Sequence, residues 1–135
     1  MKIKTISILL VVCVLISSFS LAETNNDRAD LVFSLTRATL LSNKTLRIVI
    51  HTREENYEIG VDSCELQISS GSSWSLYCSL PAPSYVENYS ESYAEDVDYS
   101  SYIGTGKYRV KLVIYAISYS NVRTNKTIYS NALTF

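Results

Sequence analysis

The chain is 135 residues long, with 12 Lys and Arg against 13 Asp and Glu, a net charge of −1, three cysteines and one histidine. That size suits one domain, the near-neutral balance argues against nucleic acid as a partner, and a lone histidine leaves little to ligate zinc. The distribution sharpens the point: from 54 to 106 there is no Lys or Arg against ten carboxylates, whereas Arg28, Arg37, Arg47, Lys107, Arg109 and Lys111 make the flanks basic.

From the N-terminus, Lys2 and Lys4 precede a mostly apolar run, 6–16, and Ser20-Leu21-Ala22 is a small-x-small cleavage site. This is the layout of a secretory signal, 1–22, whose apolar core is shorter than the ~20 residues a spanning helix needs. The expectation is a secreted, extracellular protein with no membrane span after cleavage. Residues 23–29 read as a polar, disordered tail and 30–135 as a single domain. Leu31, Phe33 and Leu35 alternate with Val32, Ser34 and Thr36 to predict a first strand, and Leu46, Ile48 and Ile50 predict a second after a turn at 41–44. The charged segment 51–60 reads as a loop.

Cys64 and Cys78 are the cysteines left after the signal, and Gly71 lies midway between them inside Ser69-Ser70-Gly71-Ser72-Ser73. That spacing predicts a β-hairpin whose two cysteines face each other within disulfide reach. Cys64, Leu66, Ile68, Trp74, Leu76, Cys78 and Leu80 then share an apolar side, and Glu65, Gln67, Ser75, Tyr77 and Ser79 the other. In an oxidising compartment such a bridge stabilises by ~3 kcal/mol. Trp74 is thereby assigned to the core. Pro81 and Pro83 end the hairpin, because proline cannot donate to a ladder. Residues 84–102 mix five tyrosines with carboxylates, and 84–99 of them read as an acidic, Tyr-rich loop. Tyr108, Val110, Leu112, Ile114 and Ala116 then line one face of a long strand, and a turn at 120–125 leads to a last strand, 127–135. About seven short strands and no helix predict an all-β, antiparallel sandwich.

Two runs in the C-terminal third carry a resemblance. Tyr102-Ile103-Gly104-Thr105-Gly106-Lys107-Tyr108-Arg109-Val110-Lys111-Leu112, followed by Tyr129-Ser130-Asn131-Ala132-Leu133-Thr134-Phe135, resembles the end of fibronectin type III and related immunoglobulin-like domains. The resemblance implies an immunoglobulin-like sandwich in which Tyr108 is the tyrosine-corner residue, its hydroxyl bonding back to upstream backbone. The strand 46–50 lacks the tryptophan usual in fibronectin type III domains.

On such a sandwich the loops gather at two poles, one of them collecting 51–60, 84–99 and 119–125. Tyrosine offers large, stiff contact area with a polar tip, and Tyr57, Tyr85, Tyr89, Tyr93 and Tyr119 interleave there with carboxylates, with Arg123 beside them. These six residues are the candidate binding set, and an extracellular protein or a glycan is the matching partner. The expected function is therefore a non-enzymatic binding or adhesion module without a cofactor or metal. Two alternatives follow from other residues: a carbohydrate-binding module displaying Trp74 or a row of tyrosines, and a small hydrolase built on His51. Glu95, Asp96 and Asp98 lack a calcium-loop register. Asn43, Asn88 and Asn125 each begin an Asn-x-Ser/Thr acceptor for N-linked glycan, expected in surface loops.

Overall fold

The computed structural model describes residues 28–135. The expected signal, 1–22, and residues 23–27 of the expected tail lie outside the described residues. Arg28 and Ala29 open a short helix, α1 (28–32), that buries Ala29 and also takes in Leu31 and Val32, which alternation had assigned to a strand. Seven strands follow: β1 (Phe33–Leu40), β2 (Thr45–Ser70), β3 (Ser73–Leu80), β4 (Glu87–Asp98), β5 (Lys107–Ile117), β6 (Arg123–Tyr129) and β7 (Leu133–Thr134). All pair antiparallel within one curled sheet.

The spine of that sheet is β2, 26 residues long. Its first half pairs with β1, from Leu35↔His51 to Leu40↔Leu46, and with β4, from Thr45↔Asp98 to His51↔Ser92. Its second half pairs with β5, from Glu58↔Ile117 to Ile68↔Tyr108, and with β3, from Cys64↔Leu80 to Ser70↔Ser73. Glu58 and Ile59 bond to β4 and β5 together, so those two strands lie on opposite edges of β2. The change of partners bends the sheet. Four residues of β2, 52–55, stand against Glu91 alone on β4, because the register jumps from His51↔Ser92 to Asn56↔Ser90. Thr52 and Asn56 are both buried at this bulge, and Thr52 Oγ1 and Asn56 Nδ2 each donate to the Glu54 carbonyl at 2.8 Å. Their side chains satisfy backbone that the interrupted ladder leaves unpaired.

Two expectations are corrected here. Residues 51–60 are not a loop but the middle of β2, and most of the stretch 84–99 is strand β4. The turn at 41–44 is present, with Lys44 at φ 65°. The last turn falls at 118–122, so Asn125 lies in β6, and the expected last strand is divided into β6 and β7.

The hairpin of β2 and β3 forms, in a different register. Gly71, at φ 72°, and Ser72 make a two-residue turn, so Ser70 faces Ser73 and Ser69 faces Trp74. A bulge between Leu66 and Gln67, with Tyr77 as the extra residue, then brings Cys64 opposite Leu80 and Cys78 opposite Leu66. Cys64 and Cys78 are thus diagonal neighbours, and both are free thiols. Burial pushes the Cys64 thiol above its ordinary pKa, and the Tyr99 hydroxyl partly offsets this. The same one-residue offset sends Trp74 and Leu76 to the outer face, Leu76 being 60% exposed, while Leu66, Cys64 and Leu80 keep the core side.

The core fills the inside of the curl. Leu46, Ile48 and Ile50 of β2 meet Val110, Leu112 and Ile114 of β5, with Leu40, Tyr93, Tyr99 and Tyr108 fully buried among them. The Tyr108 hydroxyl donates to the Thr105 carbonyl at 3.2 Å, the backward bond that a tyrosine corner requires. Across the seam, Asn131 joins the β6–β7 connection to the end of β1: its Oδ1 accepts from Leu40 N at 2.8 Å and its Nδ2 donates to Leu40 O at 3.1 Å. Among the described residues, no helix is long and apolar enough to cross a membrane.

Candidate functional site

The bend in β2 brings three of the six candidate residues together. Asn56↔Ser90 and Glu58↔Asn88 bracket Tyr57 and Tyr89, which therefore stand opposite one another on the outer face. Their rings meet edge to face at 5.5 Å, and Tyr89 stacks on Tyr119, from the β5–β6 turn, at 6.1 Å between centroids. Tyr57, Tyr89 and Tyr119 remain 45%, 62% and 58% exposed in this contact. Three strongly amphipathic rings thus form one outward patch. The Tyr119 hydroxyl donates to Glu55 Oε1, and this bond, more than the smaller effect of burial, holds its pKa at about 12.

Backbone geometry marks the centre of the patch. Tyr89 has φ 52°, a left-handed conformation inside a strand, where a bulky residue is strained. Such strain persists where the surrounding structure over-determines it, and it clusters at sites of function. Beside Tyr119, a cleft of about 430 Å³ opens between α1 and the bulge of β2, lined by Leu31, Val32, Glu54, Glu55 and Ser118 among others. Arg53 ties its rim, donating from Nε to the Asp30 carbonyl at 3.1 Å.

The remaining candidates lie elsewhere. Tyr93 is corrected from a binding residue to a core residue: it is 1% exposed, because β4 is a strand whose inward positions face the curl. Its hydroxyl finds no hydrogen-bond partner among the described residues. Tyr85 packs against the Tyr93 ring at 5.6 Å and donates to Glu87. Arg123 is engaged within the fold. Its guanidinium lies 3.9 Å from the centre of the Tyr115 ring, and its Nη2 donates to Asp62 Oδ1 at 2.7 Å.

Tyr115 is the residue that composition alone does not single out. It lies across Gly60, which it faces in register, and donates to Glu58 Oε1 at 2.5 Å. Burial first, and then this hydrogen bond, push its phenol up to about 12. A Cβ at Gly60 would stand 2.8 Å from Tyr115 Oη and 2.9 Å from Cζ. With the ring held between Glu58 and Arg123, Gly60→Ala is expected to lose about 2 kcal/mol in urea unfolding. Combining it with Tyr115→Leu should recover more than about 1 kcal/mol of that loss. Additive losses in the double variant would show that the contact is not the cause.

His51 is exposed on the outer face of β2, facing Leu35 and Ser92 in the ladder. Asp96 forms a two-point ion pair with Arg47 at 2.9 Å, and the guanidinium holds that carboxylate below its ordinary pKa. Asn43, Asn88 and Asn125 are all exposed, the first in a turn and the other two on strands. No family model, no curated protein and no solved structure matches the chain.

Proposed function

We propose that this protein is a secreted, non-enzymatic binding or adhesion module that recognises a protein partner through Tyr57, Tyr89 and Tyr119. The observation carrying this reading is the convergence of three exposed rings from β2, β4 and the β5–β6 turn on a strained backbone position. Stiff aromatic rings that have already given up their rotamer freedom to one another bring contact area to a partner at low entropic cost. Glu54 and Glu55 beside them favour a basic partner surface.

An immunoglobulin-like sandwich is the architecture we attach to this function. It is supported by the pairing of β1 and β4 with one half of β2 and of β3 and β5 with the other. In an immunoglobulin domain the first, second and fifth strands likewise share one sheet, and the third, sixth and seventh the other. The bend of β2 stands where the second and third strands of such a domain separate.

The test uses the purified protein over an immobilised oligolysine peptide and an oligoglutamate control. We expect retention on oligolysine alone, weakened at least about ten-fold when Tyr57→Ser, Tyr89→Gly and Tyr119→Ser are combined. Tyr89→Gly by itself should change stability by less than about 1 kcal/mol, since the relief of left-handed strain and the loss of ring contacts are of similar size. Equal retention on both peptides, or unchanged binding by the triple variant, would overturn the reading.

A further inference from the structure

A second group of side chains lies on the outer face of the other half of the sheet, away from the tyrosine patch. There Arg109 of β5 is held between two aromatic rings: its guanidinium carbon is 4.6 Å from the centre of the Trp74 ring and 4.4 Å from that of Tyr129. Register explains the arrangement. Gln67 faces Arg109, Ser69 faces Trp74 and Lys111 faces Tyr129, so the outward positions of β3, β2, β5 and β6 run side by side across four strands. Gln67 Oε1 accepts from Arg109 Nε at 2.7 Å and fixes the plane of the guanidinium. Among the described residues no carboxylate comes within ion-pair distance of Arg109, unlike Arg47, Lys111, Arg123 and Lys126. The sheet has thus oriented and partly dehydrated a cation without neutralising it.

Lys107 and Lys111 flank Arg109 on the same face, at steps of about 7 Å along the strand. Lys111 reaches Glu65 only at 3.7 Å. A cationic row bordered by a tryptophan and a half-exposed tyrosine, spread over the outer face of four neighbouring strands, matches a chain of sugar rings carrying repeated negative groups. The rings lie against aromatic carbon, and the anions take the guanidinium and ammonium donors, Arg by its planar fork. A protein partner fits less well, because the row is cationic and one face of each of its two aromatic rings is already taken by Arg109. We propose that Trp74, Arg109, Lys111 and Tyr129 form a binding site for an acidic polysaccharide, its sulfate or carboxylate groups bound at Arg109.

Trp74 is the chain's one tryptophan, so its fluorescence reports this site without any substitution. The full chain is titrated with heparin, with polygalacturonate and with neutral dextran at about 50 mM salt, where phosphate-like contacts are little screened. Saturable fluorescence changes with one or both anionic polymers and none with dextran are expected; heparin alone assigns the site to sulfate and polygalacturonate alone to carboxylate. Arg109→Gln should weaken binding about ten-fold or more, and Arg109→Lys at least about five-fold even though the charge is kept, because lysine lacks the planar fork and the stacking. Arg47→Gln, on the other half of the sheet, should leave binding within about two-fold, which separates a built site from general charge attraction. The proposal is overturned if neither anionic polymer moves the fluorescence, if Arg109→Lys binds as the parent does, or if duplex DNA displaces heparin at lower charge concentration than polygalacturonate or heparin itself does. Circular dichroism of each variant verifies that the sheet is intact.

Discussion

Raising the pH from 9 to 12 is expected to unfold the domain cooperatively. Tyr93, Tyr99, Tyr108 and Tyr115 are buried, and burial is the largest cause lifting each phenol above its ordinary value of 10.0, Tyr115 to about 12. A group that holds its proton more tightly when folded contributes stability that is complete below its unfolded pKa and drains away as the pH climbs through its folded pKa. The window therefore opens near pH 10 and, for Tyr115, closes near pH 12. The Cys64 thiol, lifted by burial above its ordinary value of 9.0, acts in the same direction. From Tyr115 alone the loss, after solvent screening, is of order 1–2 kcal/mol, set against a total stability of about 5–15 kcal/mol for a domain of this size. Tyr93 adds to it, because burial is the largest cause raising its phenol and its hydroxyl finds no hydrogen-bond partner among the described residues.

Tyr99 donates to the Pro81 carbonyl at 2.8 Å, a bond that ionisation abolishes. Far-UV circular dichroism and tyrosinate absorbance followed together should change in one step. Tyr115→Phe should flatten the loss between pH 10 and pH 12. A strand signal still intact at pH 12 with most phenols ionised would show that these tyrosines are not locked in the core.

Cutting the clamp at the seam should have the other large effect. Asn131 presents an acceptor to the Leu40 N–H and a donor to the Leu40 C=O, and Ser130 beside it is buried. Ser130 Oγ accepts from Val110 N at 2.8 Å and donates to Asn131 O at 2.8 Å, so the clamp is itself fixed to the central strand β5. Asn131→Ala strips both Leu40 groups of their partners at once, at a cost of about 2–4 kcal/mol, and should lower the melting temperature by about 10 °C. Hydrogen exchange at the Leu40 amide should accelerate before the rest of β1 opens. A loss under about 0.5 kcal/mol, as at an ordinary surface position, would mean the curl is closed by its apolar core alone.

Much of this architecture is already written in alternation. The faces of β5, the turn at 41–44, the glycine turn of the β2–β3 hairpin and the inward position of Tyr108 all follow from period-2 patterning and turn chemistry. Alternation cannot announce where a bulge will fall. Gly71-Ser72 and the extra residue Tyr77 displace the hairpin from its symmetric register, which separates Cys64 from Cys78 and turns Trp74 outward to meet Arg109. Tyr93, grouped in the sequence with the exposed tyrosines, went inward for a similar reason: β4 pairs along β2, and pairing imposes a face on every residue it touches.

The sequence by itself determined the all-β class, the acidic middle, the tyrosine enrichment and most of the core, because these depend on composition and on spacing along one strand. The tertiary structure alone decided that β2 runs on through the charged residues 53–55: pairing with β4 at His51 and again at Asn56 holds the chain on either side of the bulge, and Thr52 and Asn56 donate to the Glu54 carbonyl within it. It also decided which tyrosines meet. Contact between Tyr57, Tyr89 and Tyr119 requires a bend that brings strands from three parts of the chain together, and no local pattern encodes that distance.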